Sequence, residues 1–150
     1  MTYDPRTYGK TVITVGSVST ELPSRTNASG GAINRTDPVR LDSSGQVQKV
    51  DPSIEAQVLA LIGVAKDSVA NGALVGIATG GRLENVTVPG SLGDSLYLSK
   101  TGTLTNVKPS IGVGGFVAGD FVVFIGISVK NQSNALLTDL MINIRVVGQL

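Results

Sequence analysis

The sequence predicts an all-β protein: a single β-barrel or sandwich built from two pseudo-repeated halves, about residues 33–92 and 93–150, with residues 1–32 as an extended N-terminal arm. Three observations carry this reading. Residues 39–52, VRLDSSGQVQKVDP, and residues 96–109, LYLSKTGTLTNVKP, align without a gap, with Leu41/Leu98, Gly45/Gly102, Val50/Val107 and Pro52/Pro109 identical. Charged residues are 15% of the chain, against roughly 25% in ordinary soluble domains, and glycine is abundant at 19 residues. Apolar residues alternate, or run continuously over short stretches, between clusters of Gly, Pro, Asn and Asp, as strands and turns require.

Residues 1–32 are rich in Ser, Thr, Gly and Pro, and Ser17–Gly31 carries only Val18, Leu22 and Ala28 as apolar side chains. Such a stretch cannot bury enough to fold alone. Thr11, Val12, Ile13, Thr14 and Val15 form one strand-like patch within it and are the candidate partner-binding residues of an arm that orders on a neighbouring subunit. From Val39 to Val50 the pattern is a hairpin: Val39–Leu41, a turn through Asp42-Ser43-Ser44-Gly45, and a return over Val47–Val50 closed by Pro52. Ile54, Val58, Leu61 and Ile62 fall at helical spacing behind Ser53, a residue suited to an N-cap, so a helical turn is expected before a buried strand from Leu61. Val75–Ala78 and Leu83–Val88 read as two strands separated by a tight turn at Thr79-Gly80-Gly81-Arg82. A second hairpin, Leu96–Leu98 with Thr103–Val107, turns through Lys100-Thr101-Gly102. A Gly-rich loop, Ser110–Gly119, precedes the continuous apolar strand Phe121–Val129, whose Ile125-Gly126-Ile127 matches Ile62-Gly63-Val64. The two mid-strand glycines mark bends or close backbone approach. Leu140, Ile142, Ile144 and Val146 alternate with Met141, Asn143, Arg145 and Val147 in a half-buried closing strand.

The composition excludes much chemistry. The formal charge is +1, from 12 basic and 11 acidic residues, with no basic run, so neither a nucleic-acid nor a membrane partner is indicated. The chain has no cysteine and no histidine, which removes the thiolate nucleophile, the usual general base near neutral pH and the commonest metal ligand. The acids sit mostly in turns, as in Asp37-Pro38, Asp51-Pro52, Gly93-Asp94 and Gly119-Asp120, where Asp caps the local backbone. The Gly-rich loop lacks the Lys-Ser/Thr of a phosphate loop and is followed by an apolar strand, not a helix. No apolar run reaches the ~18 residues of a membrane span, and the polar MTYDPRTYGK start is not that of a signal peptide. No catalytic, cofactor or metal-ligating residue is therefore expected, and the chain reads as a non-enzymatic scaffold or binding module.

The residues that carry the repeat also carry a family likeness. Ala32–Asp51 (AINRTDPVRLDSSGQVQKVD), Ile62-Gly63-Val64-Ala65, Gly93–Ser99 (GDSLYLS) and Gly102–Thr105 (GTLT) together resemble tailed-bacteriophage virion β-proteins, above all the capsid decoration, or cement, proteins. The resemblance spans roughly residues 32–130. It implies a homotrimer that binds the major capsid protein on the outer surface of an icosahedral head and stabilises the shell, made in the host cytoplasm and located on the virion. No catalytic residue is carried over by it. The same phrase recurs in tail-fibre, tailspike and adaptor attachment domains, which is the alternative reading. The N-terminal arm is a departure from the smallest cement proteins.

Overall fold

The computed structural model of the chain describes residues 19–150. Nine strands and one short helix make up its regular structure: β1 (Thr20–Thr26), β2 (Pro38–Leu41), β3 (Val47–Lys49), α1 (Glu55–Leu59), β4 (Leu61–Ala65), β5 (Leu74–Leu83), β6 (Ser95–Leu98), β7 (Leu104–Thr105), β8 (Phe121–Lys130) and β9 (Thr138–Gln149). The strands pair antiparallel along one path, β3-β2-β4-β5-β9-β8-β6-β7, with β1 added on β5. The sheet curls into an open half-barrel, so the all-β class read from the sequence is the observed one.

The strand order displays the sequence repeat. From either end it reads hairpin, glycine-centred strand, long strand: β3-β2-β4-β5 and β7-β6-β8-β9. Local hydrogen bonds match in kind. Asp42 N–H donates to Gln46 O and Gly45 N–H to Asp42 O in the first turn; Ser99 N–H donates to Thr103 O and Gly102 N–H to Ser99 O in the second. Ahead of each hairpin an aspartate caps its own turn, Asp37 accepting from Asn34 N–H at 2.9 Å and Asp94 from Ser91 N–H at 2.8 Å.

The mid-strand glycines have a steric cause. Val39 pairs with Gly63 and Leu96 with Gly126, and each pairing is followed by a register shift. A methyl group on Gly63 would overlap the carbonyl oxygen of Ala78 in β5, and one on Gly126 that of Met141 in β9. One sequence offset carries both glycines and both carbonyls onto each other. The close approach and the bulges bend β4 and β8 and increase the local twist, which curls each half over its own apolar side chains.

Two elements differ from the sequence reading. Thr79–Arg82 does not reverse the chain; it lies inside β5. Gly81 adopts φ +74° and bends the strand where its pairing changes, from β1 up to Gly80 to β9 from Gly81 onward. Residues 84–88 then leave the sheet through Asn85 at φ +51°, with Val86 buried and Val88 packed against the core. A Gly-Gly pair therefore serves as a bend between two pairings. The other difference is β1. It lies within the segment expected to reach a neighbour, yet it pairs with this chain's own β5. Only Leu22 of it packs on the core, so its place is fixed by backbone hydrogen bonds that an apolar count does not register. Thr11–Val15 lies outside the described residues. The end of β5 thus lies on β9 much as β1 lies on β5. The helical turn is present as α1, but its N-cap is Ile54; Ser53 Oγ instead donates to Asp51 Oδ1 at 2.6 Å.

The core has two parts. Ile33, Val39, Val47, Ala65, Val75 and Ile77 fill the first half. Leu96, Leu98, Val123, Ile125, Leu140 and Ile142 fill the second, joined by Val64 and Ala78 from the first half and by Val58 of α1. Both faces of the β4–β5 pair are thus buried, and the halves are welded together. Asn27, fully buried, closes the first half: it bridges to Val47 of β3, its Nδ2 donates to Gly31 O, and its Oδ1 accepts from Ser29 N–H and Oγ.

Gly126→Ala is expected to lower stability by about 3 kcal/mol, since backbone carbonyl rather than a movable side chain occupies the space. Gly80→Ala, where a methyl meets nothing within 4 Å, should change it by less than about 0.5 kcal/mol. Urea denaturation of both variants checks the pair; equal losses would contradict the steric account.

Candidate interaction surface

Between β7 and β8 the chain makes a long excursion, Asn106–Asp120. It carries Val107, Ile111, Val113 and Val117 exposed to solvent, Ile111 at 62%. Such side chains are normally scattered singly on a surface. Here they share one loop with five glycines or prolines and one charge, Lys108, before Asp120. The loop is held rather than loose. Phe116 is buried, with its N–H on Val113 O and its carbonyl accepting from Gly112 N–H. Val113 N–H donates to Ser110 O. Its far end is tied to the C-terminus: Gly119 N–H donates to Leu150 O, Leu150 N–H to Asp120 O, and Gln149 Nε2 to Gly119 O at 2.8 Å. A small apolar dimple of about 50 Å³, lined by Val107, Pro109, Val113 and Phe116, opens beside these side chains.

The end of β9 continues this surface. From Asn143 to Gln149 it pairs with β8 and, among the described residues, with no other strand. Val146 and Val147 are exposed there. On the outward side of the same sheet Tyr97 meets Phe124 edge-on at 5.9 Å, and the Arg145 guanidinium lies 4.6 Å over the Phe124 ring, so a buried aromatic is capped by a cation.

Asp120 anchors the loop. Its carboxyl, 2% exposed, accepts from Val117 N–H at 2.9 Å and from Lys100 Nζ at 2.7 Å. Burial raises its pKa, but the Lys100 hydrogen bond, the Val117 N–H and the Lys100 charge together outweigh this and hold it below the ordinary 3.8. The other turn acids are similarly employed. Asp42 accepts from Gln48 Nε2, Gln46 N–H and Ser44 N–H, and Asp51 from Ser53 Oγ and N–H, each lowering the carboxyl's pKa. The capping role expected of these aspartates is the observed one. Among the described residues no group of three or more carboxylates is placed to hold a metal ion.

A polar cleft of about 310 Å³ lies on the other flank of Lys100, between the two hairpins. Arg40, Gln48 and Lys49 line it from the first hairpin, Lys100 and Thr101 from the second, and Asp51 and Gln57 from the link between them.

Of the residues proposed from sequence as partner-binding, Thr11 to Val15, none lies in the described region. Sequence reasoning alone misses the loop valines and Ile111. Their signal was present, as apolar residues without charge in a Gly-rich stretch, but glycine density reads first as flexibility. The chain matches no family model and no curated protein.

Lys100→Met should cost about 2 kcal/mol near neutral pH, because it strands a buried carboxylate. The depressed Asp120 pKa contributes stability above the ordinary carboxyl value, and this is lost as the pH falls through the folded-state value. The gap between wild type and variant should therefore narrow below about pH 4. Thermal unfolding at pH 7 and pH 3 measures it; a gap that widens in acid contradicts the assignment.

Proposed function

We propose that this chain is a non-enzymatic virion structural protein that binds the outer surface of an icosahedral phage head as a homotrimer, contacts the major capsid protein, and stabilises the assembled shell. The observation that carries the docking reading is the braced apolar loop, Val107 to Val117, beside the end of β9, which among the described residues pairs on one side only, with β8. A loop whose backbone is already hydrogen-bonded loses little conformational freedom on binding, so its apolar side chains act as preorganised anchors. The dimple beside Val113 and Phe116 suits a reciprocal apolar anchor from the partner, and the low surface charge suits an interface core depleted of charge. The family resemblance of the sequence supplies the identity of that partner.

Stabilisation by such a protein needs no catalysis. A ligand that binds only the assembled lattice stabilises it by mass action, about 2.7 kcal/mol per site when its free concentration is a hundred times the dissociation constant. Turn carboxylates committed to backbone N–H groups are consistent with a non-enzymatic role.

Purified protein added to undecorated expanded heads should bind in hundreds of copies and raise their resistance to heat. Val113→Asp combined with Val117→Asp should weaken that binding about 30-fold or more while leaving the unfolding midpoint within a few degrees. Absence of binding, or binding confined to a few copies at the tail vertex, would overturn the head assignment; full binding by the double variant would remove the loop from the interface.

A further inference from the structure

The cleft between the hairpins differs in chemistry from the loop beside it. Three cations line it, Arg40, Lys49 and Lys100, with one carboxylate, Asp51. Two of the cations already have buried partners: Lys49 Nζ lies 3.3 Å from Asp37 and Lys100 Nζ 2.7 Å from Asp120. Arg40 differs. Its Nε donates to Lys49 O at 3.1 Å, which orients the guanidinium, and among the described residues its terminal amino groups have no acceptor. Asp51 Oδ1 is taken by Ser53 Oγ and N–H, and among the described residues no hydrogen bond joins Arg40 to Asp51 or to Asp42, the turn carboxylate whose charge it faces. Gln57 accepts Asp51 N–H through Oε1 at 2.9 Å, which leaves its NH2 to donate. The cleft thus gathers donors around one oriented planar cation whose terminal amino groups have no hydrogen-bond acceptor among the described residues.

A guanidinium fork with flanking donors matches a carboxylate, which it takes in two parallel hydrogen bonds. Small-molecule pockets are mostly enclosed and lined by apolar and aromatic side chains. This cleft has no aromatic in its lining, which favours a side chain carried in on a larger surface over a free ligand. The position agrees. Lys100 belongs both to the cleft and, through Asp120, to the brace of the apolar loop, and its stem passes the site of Gly115 in that loop. An apolar centre with a polar flank is the usual anatomy of a protein–protein interface.

We infer that the cleft receives an aspartate or glutamate side chain of the protein on which this chain docks, with Arg40 as the bidentate partner and Gln57, Lys49, Lys100 and Thr101 as flanking donors. The inference rests on the reading of the chain as a docking module and names the chemistry of its partner's contact.

The test has two arms. In the first, the isolated protein is titrated with N-acetyl-glutamate methylamide while the Arg40 Nε–H and Gln57 side-chain amide signals are followed by NMR. Saturable shifts at millimolar concentration are expected, absent with the neutral glutamine analogue, reduced about tenfold in Arg40→Gln and partly kept in Arg40→Lys. In the second, Arg40→Gln and wild type are compared for binding to expanded heads, where about a tenfold loss is expected with the unfolding midpoint unchanged. Shifts that the glutamine analogue reproduces, shifts that survive Arg40→Gln, or tighter binding of glucuronate than of the glutamate probe would overturn the inference. Wild type that binds heads no better than Arg40→Gln overturns it while leaving the docking reading intact. Wild type that takes the probe but not the heads overturns the docking reading and keeps the carboxylate site.

Discussion

The fold depends on two points where one strand's backbone presses against the next. At Gly63 against Ala78, and at Gly126 against Met141, the absence of a side chain lets the strands approach more closely than any other residue would allow. The register shifts that accompany these contacts turn β4 and β8 across their neighbours. Without that bend the sheet would lie flatter, and Val39 and Ile77 on one side, or Leu96 and Leu140 on the other, would have no enclosed space to fill. The bend also exposes the far side of β4 and β5, where Val64 and Ala78 meet the core of the second half. Two local steric facts thus set the curl, divide the core and join the halves.

The same repeat leaves the two halves unequal at the surface. Val64 and Ala78 are buried by the second half, whereas Ile127 and Met141, which the repeat places at the corresponding positions, face solvent. The second half is therefore the end with apolar surface to spare. Its loop is braced by Phe116, by Asp120 with Lys100, and by the C-terminal residues. A buried ion pair and a buried aromatic that hold valines in water fit the proposed docking role, and the adjoining cleft adds directional polar groups on one flank. In the proposed complex apolar area would supply affinity and the polar flank register, a division of labour common to protein interfaces.

Much of this was legible in the sequence. The repeated phrase gave both hairpins with their turns, the alternating residues gave β9, the continuous apolar run gave β8, and the mid-strand glycines announced the close approach. The departures have physical causes. Thr79-Gly80-Gly81-Arg82 carries the composition of a reversal, and only the pairing of Gly81 with Ile142 shows that it bends one strand between two partners. β1 reads as part of an arm because its residues bury little, yet a strand that docks by backbone hydrogen bonds need bury little. The cleft was not legible at all: Arg40, Gln57 and Lys100 are far apart in sequence, and only the packing of the second hairpin's turn, at Gly102, against Lys49 and Val50 of the first hairpin brings them together. Ser53 had the chemistry of a helix cap, but Asp51, two residues before it, took its hydroxyl first.

The central claim is that the second half carries the docking surface. Amide hydrogen exchange measured on the free protein and on the protein bound to undecorated expanded heads tests it most directly. Binding should slow exchange in residues 106–119 and 143–149, with Arg40 and Gln57 showing a smaller effect, and should leave β1 and the Ile33–Val69 bridge as they were. Protection confined to the first half, with the apolar loop exchanging as fast bound as free, would contradict it.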